Sequence, residues 1–529
     1  MRDDGLIRDM REEYNEYLRD ESRTAGFADS ISFPRTEEDI RRIARYCYDR
    51  GCRLTVQGGR TGLAAAAVPF GGHILNLSRM DRVTGMALRD GVFYLTVQPG
   101  VVLRELRKAI AAKRFDTADW SPASLDALEA FRAAAEQMFT PDPTETSATI
   151  GGMAACNASG ARTHGYGPTR GYVEGIRVVL ADGDTVALRR GEVCARGRKM
   201  TLTTESGHTL HVDLPTYTMP RTKNASGYFA ADDMDAVDLF VGSDGTLGVL
   251  SELELRLLPL PNTIWAATCF FDRKEQAIAF TDALRRTEVK EVSLEYFDRR
   301  ALDILRTQKR EKTAFAALPD IPAGVGAAVY AELHCSGEAE AAGKLFRLGE
   351  VLTEAGGSEE DTWVARTEND RDKLLFFRHA VPESVNMLID ERKKIFPSIT
   401  KLGSDMSVPD EHIFDVVRLY RTTLAEEGFD AAVWGHIGEN HLHVNILPRN
   451  EEEFVRGKEL FVRWAEAVTA MGGAVSAEHG VGKLKASFLR IMYGDGHIRE
   501  MAALKRVLDE KSILGIGNLF SEEDGRTRS

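Results

Sequence analysis

Two short segments of this 529-residue chain gather residues that can bind a metal and move a proton. The first reads Gly435-His436-Ile437-Gly438-Glu439-Asn440-His441-Leu442-His443-Val444-Asn445, with three imidazoles inside eight positions. Imidazoles at that density suit a divalent metal, zinc above all. Positions 441–447 alternate as an extended strand would, so His441, His443 and Asn445 share one face while Leu442, Val444 and Ile446 face the core. His436 is then expected to enter from the preceding turn. The second segment is Ser476-Ala477-Glu478-His479-Gly480-Val481-Gly482. Two neutral imidazoles and one carboxylate leave coordination positions open for a substrate, and Glu478 can supply the carboxylate. His479 remains beside them as a base suited to neutral pH. A lone histidine is ordinarily a core or surface residue; four in two glycine-flanked segments outweigh that reading.

A different chemistry is implied by three glycine clusters. They are Gln57-Gly58-Gly59-Arg60-Thr61-Gly62-Leu63, then the run from Ile150 to Gly160, then Gly242-Ser243-Asp244-Gly245-Thr246-Leu247-Gly248. Backbone N–H groups reach a phosphate only where no side chain intervenes, and glycine permits both the approach and the backbone angles. Any one cluster is weak evidence, because a glycine-rich turn is usually only a turn. Three of them after predicted strands suggest a long phosphate ligand, such as the pyrophosphate of a dinucleotide. None is the G-x-G-x-x-G fingerprint, so a Rossmann NAD site is not supported.

These residues need elements to hold them. Ile40, Ile43, Ala44 and Cys47 fall on one face of a helix over 37–50; Gly51 ends it, and 53–56 reads as a strand running into the first cluster. A strand over 176–180 turns at Asp182-Gly183. Residues 122–138 look like an inserted helix and 189–222 like an extra hairpin. Pro259-Leu260-Pro261 reads as a boundary, followed by helix 275–286, an extended 292–295, strand 327–333, helices 338–355 and 411–427, and strands near 431–434 and 441–447. A helical stretch at 498–509 closes the pattern. The fold class is α+β. Residues 1–260 are expected to bind the cofactor, 261–497 to form a substrate or cap domain with an antiparallel sheet and the metal site, and 498–529 to pack back on the first domain.

Composition narrows the partners. A formal net charge of -13 disfavours a nucleic-acid binder. None of the six cysteines forms a C-x-x-C pair, which argues against an iron–sulfur cluster or zinc knuckle and fits a reducing compartment. Met1-Arg2-Asp3-Asp4 lacks the apolar stretch of a signal peptide, and no run approaches a membrane span. The expectation is a cytoplasmic protein, with peripheral docking on a membrane left open.

The three clusters, in order, resemble the flavin segments of the FAD-dependent vanillyl-alcohol-oxidase-type (PCMH-type) flavoproteins. The resemblance is closest to the D-lactate and D-2-hydroxyglutarate dehydrogenase branch, which includes glycolate oxidase subunits, and it runs from about Asp20 to about Phe520. It implies FAD, with Gly58, Gly59, Arg60, Thr61, Gly62 and Leu63 around the pyrophosphate. Ser147, Gly151, Gly152, Asn157 and Gly160 follow the flavin, with Gly167 and Val249 from the second and third segments. Arg60 stands where the family usually has glycine, and either adds charge to a phosphate or points to solvent. Gly515-Ile516-Gly517-Asn518 replaces the usual Asn-Pro-Gly-Lys, which puts an asparagine contact to the flavin in doubt. No histidine lies in the pyrophosphate loop, so the FAD is expected to be non-covalent.

The branch motif Gly-His-x-Gly-Asp-Gly-Asn-x-His places metal ligands at His436 and His443, and Ala-Glu-His-Gly adds Glu478 as ligand and His479 as catalytic base. The middle of the first motif differs here, so His441 is a rival ligand to His443. Arg378, in Phe377-Arg378-His379-Ala380, matches the arginine that anchors a substrate carboxylate, and Asn445 is a further substrate contact. Asp405 matches a pocket strand whose role stays open. The implied function is FAD-dependent oxidation of a D-2-hydroxy acid, with metal-assisted deprotonation by His479 and hydride transfer to flavin N5; zinc, manganese and iron all suit the ligands. Gly403 stands where the D-2-hydroxyglutarate enzymes carry lysine, which points to D-lactate. An electron-accepting protein or a quinone completes the cycle. The alternatives are an alkyl-glycerone-phosphate-synthase relative, from Gly480-Val481-Gly482-Lys483-Leu484, and a flavin subunit of an electron-transfer complex.

Overall fold

A capping box starts the helix that leads to the first glycine cluster. In the computed structural model, which describes residues 5–521 and 523–524, Thr36 accepts from the Asp39 backbone N–H and Asp39 accepts from that of Thr36. Helix Glu37–Arg50 follows and ends at Gly51 in the left-handed region, φ 61°. Its expected face, Ile40, Ile43, Ala44 and Cys47, is buried. The reading of Met1 to Asp4 lies outside the described residues.

Strand Leu54–Gln57 runs parallel to His73–Asn76 in a four-stranded sheet. A five-stranded antiparallel sheet orders Val83–Arg89, Val92–Val97, Val249–Arg256, Val173–Val179 and Thr185–Arg189. Its last two strands form the hairpin expected at Asp182-Gly183. The inserted helix is Pro122–Ala133, and the 189–222 region holds a hairpin of Lys199–Thr203 and Thr209–Asp213.

Beyond Pro261 the chain builds a seven-stranded antiparallel sheet, in the order Trp363–Ala365, Thr263–Phe271, Ala327–Cys335, Ser293–Asp298, Ala431–His436, His441–Ile446 and Leu402–Gly403. The α+β architecture with an antiparallel sheet is therefore present. Among the described residues beyond Pro261, three α-helices escaped the sequence reading: Arg299–Glu311, Glu368–Lys393 and Glu451–Ala470. The second of these contains Pro382, a helix-breaking signal that packing on the sheet overrides, and it carries Arg378.

The last helix is longer than expected, Ala486–Leu508, with a break at Gly494 (φ 74°). Its buried face shares one core with Leu95, Phe131 and Leu253 of the first half. Leu514 then pairs with Leu54 beside the four-stranded sheet.

Candidate active site

All three glycine clusters meet at one cleft. Gly58 to Leu63 line it from one side, Thr149, Gly151 and Gly152 from another, and Ser243, Asp244, Gly245 and Gly248 from a third. The glycines are there for space. A Cβ on Gly58 would lie 2.2 Å from Thr149 Oγ1, and one on Gly151 would lie 2.5 Å from Pro99 Cβ. A Cβ on Gly62 would meet nothing within 4 Å. This backbone-lined space fits the phosphates of a dinucleotide, and its lining reaches Glu478 and His479.

Arg60 lines the cleft, and its side chain turns towards the segment around Glu16. The guanidinium bonds the Glu16 carbonyl and carboxylate and covers the Tyr17 ring at 4.3 Å. Its φ of 58° shows why glycine suits the position. Five other predicted cofactor residues, Ser147, Asn157, Gly160, Gly167 and Val249, are not among those lining the cleft. Asn157 closes helix Ile150–Cys156 in the left-handed region and accepts from the Arg170 backbone N–H. A side chain on Gly160 would strike the Asp142 carbonyl at 1.7 Å, and Val249 is core. The Asn518 amide is held by the carbonyls of Asp244 and Ala66 and by Lys483.

The histidines converge on one carboxylate. His436 is the last residue of strand Ala431–His436 and pairs with His441; the turn expected to carry it begins one residue later, at Ile437–Glu439. Its Nε2 lies 3.2 Å from Glu478 Oε2 and 3.4 Å from Oε1. His443 Nε2 lies 3.2 Å, and His479 Nε2 3.5 Å, from Glu478 Oε1. The far nitrogens are anchored as metal-binding histidines require. His436 Nδ1 is 2.6 Å from Glu295 Oε1, and His443 Nδ1 is 3.1 Å from the Ser404 carbonyl. His441 is wholly buried behind them, with Nε2 3.0 Å from Asp405 Oδ1 and no aligned hydrogen bond at either ring nitrogen. Ligand atoms of His436, His441, His443 and Glu478 all lie within 4.8 Å of one another, as do those of Asp405, His443, Glu478 and His479.

Buried charges fix this arrangement. Asp405 accepts from the backbone N–H groups of Glu478 and His479, from Ser476 Oγ and from Lys485 Nζ, and lies 3.3 Å from His479 Nδ1. Glu295 bridges His436 to Arg378, whose Nε lies 3.1 Å from Glu295 Oε2. Burial pushes the Glu295 carboxyl up, but His436 and Arg378 outweigh it and hold the group at about 2. Burial pulls His436 down, yet the Glu295 carboxylate raises it to about 9. Burial and the neighbouring His443 drop His441 to about 3, so it is neutral. Glu478 is pushed up by burial and held well below its usual range by Lys223 and His436.

Two family matches cover most of the chain. Residues 28–126 and 120–189 match an FAD binding domain, and residues 260–519 match the C-terminal domain of FAD linked oxidases. The chain belongs to the FAD-linked oxidases. The chain is 26% identical to a D-lactate dehydrogenase of Anaerostipes hadrus over 91% of its own length and 87% of the relative's. It is 25% identical to the glycolate oxidase subunit GlcD of Bacillus subtilis (94% and 90%) and 26% identical to a D-2-hydroxyglutarate dehydrogenase of Xanthomonas citri pv. viticola (94% and 90%). Its fold is shared with a 4-ethylphenol oxidase from Gulosibacter chungangensis, TM-score 0.65 at 17% identity, over 98% and 95% of the two chains. An alkyldihydroxyacetonephosphate synthase shares it too, TM-score 0.63 at 14% identity, over 96% and 82%. FAD-dependent oxidoreduction is thus the class of activity.

Arg378, on helix Glu368–Lys393, is buried and tied to Glu295. The Asn445 amide donates to the His443 carbonyl, and its oxygen lies towards Gly403. Sequence reasoning missed Lys223, Glu295 and Lys485. Lys223 and Glu295 are single charged residues outside any motif, brought in from distant parts of the chain, so only the burial of their charge marks them; Lys485 lies six residues after His479 and is marked only by its contacts with Asp405 and Ser476.

Proposed function

We propose that this protein is an FAD-dependent dehydrogenase that converts a small D-2-hydroxy acid, D-lactate foremost, to the 2-oxo acid. Non-covalent FAD would lie in the glycine-lined cleft, and a divalent metal (zinc, manganese or iron) would be held by His436, His443 and Glu478. The carrying observation is the convergence of His436, His443 and His479 on Glu478 at the end of that cleft. His443 is preferred to His441 because its Nδ1 is anchored on a carbonyl, which leaves Nε2 as the ligand atom, whereas His441 Nε2 faces Asp405. When bound, FAD supplies a hydride acceptor and the metal a Lewis acid for the substrate oxygen.

The chain's own residues do the rest. With Nε held by Glu295, the two Nη groups of Arg378 form the edge that meets the substrate carboxylate. Asp405 orients His479 through Nδ1, so that Nε2 faces the cluster and takes the hydroxyl proton. Asn445 borders the same strand face. Gly403, paired with Asn445, offers no cation to a second substrate carboxylate, and Lys401 is half-buried near Arg23 with its pKa pulled down to about 8 by desolvation. A monocarboxylate avoids that cost. Reoxidation by a quinone or an electron-carrier protein completes the cycle. No helix among the described residues is long and apolar enough to cross a membrane, and a cytoplasmic location with peripheral membrane docking is part of the same reading.

The test is anaerobic flavin bleaching by D- and L-lactate, glycolate, D-2-hydroxybutyrate and D-2-hydroxyglutarate, with metal analysis of the same sample. D-lactate should bleach fastest. Preference for D-2-hydroxyglutarate refutes the inference from Gly403, preference for L-lactate refutes the stereochemistry, and absence of metal refutes the ligand set. Acid precipitation should leave the flavin in the supernatant; a yellow pellet refutes non-covalent binding.

A further inference from the structure

One buried cation in the cluster has no part in the proposed reaction. The Lys223 side chain is 3% exposed. Its Nζ lies 3.0 Å from Glu478 Oε2, 3.0 Å from Glu439 Oε2 and 3.4 Å from the Gly160 carbonyl. An ammonium has three N–H groups, and three protein oxygens already surround this one. Lys223 is therefore not placed to receive the substrate. Nor is it a loose lysine that has drifted into a charged site. Its carbonyl accepts from Ser407 Oγ, the Ala225 N–H donates to the Ser476 carbonyl, and Ser226 Oγ both donates to that carbonyl and accepts from the Ser476 N–H. The backbone that carries Lys223 is thus pinned to the segment that carries Glu478.

The two oxygens of Glu478 are divided by this contact. Oε1 faces His443 and His479, Oε2 faces Lys223, and His436 Nε2 lies within reach of both, 3.4 Å from Oε1 and 3.2 Å from Oε2. A carboxylate free to turn can give a metal both oxygens and fill a position a substrate needs; one whose second oxygen is held by an ammonium gives one. Glu439, on the hairpin loop between the histidine strands, competes for the same ammonium and so sets how strongly it holds Glu478.

We propose that Lys223 is a positioning residue that keeps Glu478 Oε2 away from the metal and so preserves an open coordination position for the substrate, with Glu439 tuning that hold. The inference rests on the metal site proposed above. It has a signature that mere structural support lacks. A buried positive charge beside a divalent ion weakens ion binding, so removing it should tighten metal binding while turnover falls. Removing the Glu439 charge should do the reverse to affinity, because the ammonium then leans on Glu478 alone.

The experiment uses the FAD-loaded protein, stripped of metal and titrated with Zn²⁺ or Mn²⁺ against a competing chelator, with kcat and KM for D-lactate measured in parallel. For Lys223→Met the metal dissociation constant should fall about tenfold while kcat drops about tenfold or more, the range seen when partners of metal ligands are changed. Lys223→Arg should restore most of both. For Glu439→Gln the dissociation constant should rise about tenfold. Wild type that takes up no metal, or Glu478→Gln that binds it normally, refutes the metal site itself. If those two controls behave, a shift of Lys223→Met and Glu439→Gln in the same direction, or no shift in either, refutes the role of Lys223 alone. If Lys223→Met does not fold, Glu439→Gln decides by itself: weaker metal binding supports the proposal and unchanged binding overturns it.

Discussion

The cofactor cleft and the histidine cluster meet at Glu478 and His479, yet they are built from opposite materials. The cleft is made of backbone: Gly58, Gly62, Gly151 and Gly152 contribute an absence of side chain, and the one arginine in the loop turns its charge away to Glu16. The cluster is made of side chains: His436, His443, Glu478, Asp405, Glu295, Arg378 and Lys223 crowd charge into a buried space, each compensated by a neighbour. The cleft should therefore fail when atoms are added, and the cluster when charges are removed.

The sharpest way to break that contrast is His479→Ala. It should cost kcat about 10²- to 10⁴-fold, the range for a lost general base, with FAD content unchanged. Loss of flavin from this variant would show that the two regions are not separable. Next comes Arg378→Met, which leaves Glu295 buried with half its cationic support; breaking such a pair costs about 3–5 kcal/mol. Thermal unfolding should shift down and KM for D-lactate should rise, and an unchanged KM would remove Arg378 from the substrate contacts. In the cleft, Gly58→Ala drives a Cβ into Thr149 and should cost about 1–3 kcal/mol through overpacking. Gly62→Ala, which meets nothing, should leave the melting temperature alone and weaken only FAD retention. Equal effects on stability would contradict the reading of Gly62 as ligand space. The smallest effect belongs to Arg60→Gly: it relieves a left-handed φ at a cost or gain of no more than about 1 kcal/mol, and FAD affinity should not fall. A clear loss of FAD would restore the phosphate contact that the Glu16 pairing argues against.

The same contrast explains what could be read in advance. The cleft was legible because glycine clusters are local, and so was the face shared by His441, His443 and Asn445, because strand alternation is local. The helix Glu37–Arg50 was legible in its buried face and its end at Gly51, though not in its Thr36 cap. What escaped is long-range. Nothing near Glu295 in the chain says that it will join His436 to Arg378, and nothing near Lys223 says that it will sit on Glu478. Asp405 could be matched to a pocket strand but given no task until its hydrogen bonds to the Glu478 and His479 backbone were visible. Resemblance placed Asn157 and Gly160 along the flavin; the structure adds that Asn157 accepts from the Arg170 backbone N–H and that Gly160 packs against the Asp142 carbonyl, neither of which is local in the sequence.

The return of the chain to strand Leu54–Gln57 has a consequence for its birth. The N–H of Leu54 donates to Ile513 and the N–H of Gly515 donates back to Leu54, while Asn518 clasps Asp244 and Lys505 holds the Thr246 carbonyl. The strand that feeds the first phosphate loop, and the third cluster opposite it, thus wait for partners synthesised hundreds of residues later. On the ribosome the early half can pair its own strands, but it lacks these hydrogen-bond partners until the late segment emerges. Cofactor capture then becomes a checkpoint on synthesis: a chain cut short before residue 513 is flawed first at its beginning.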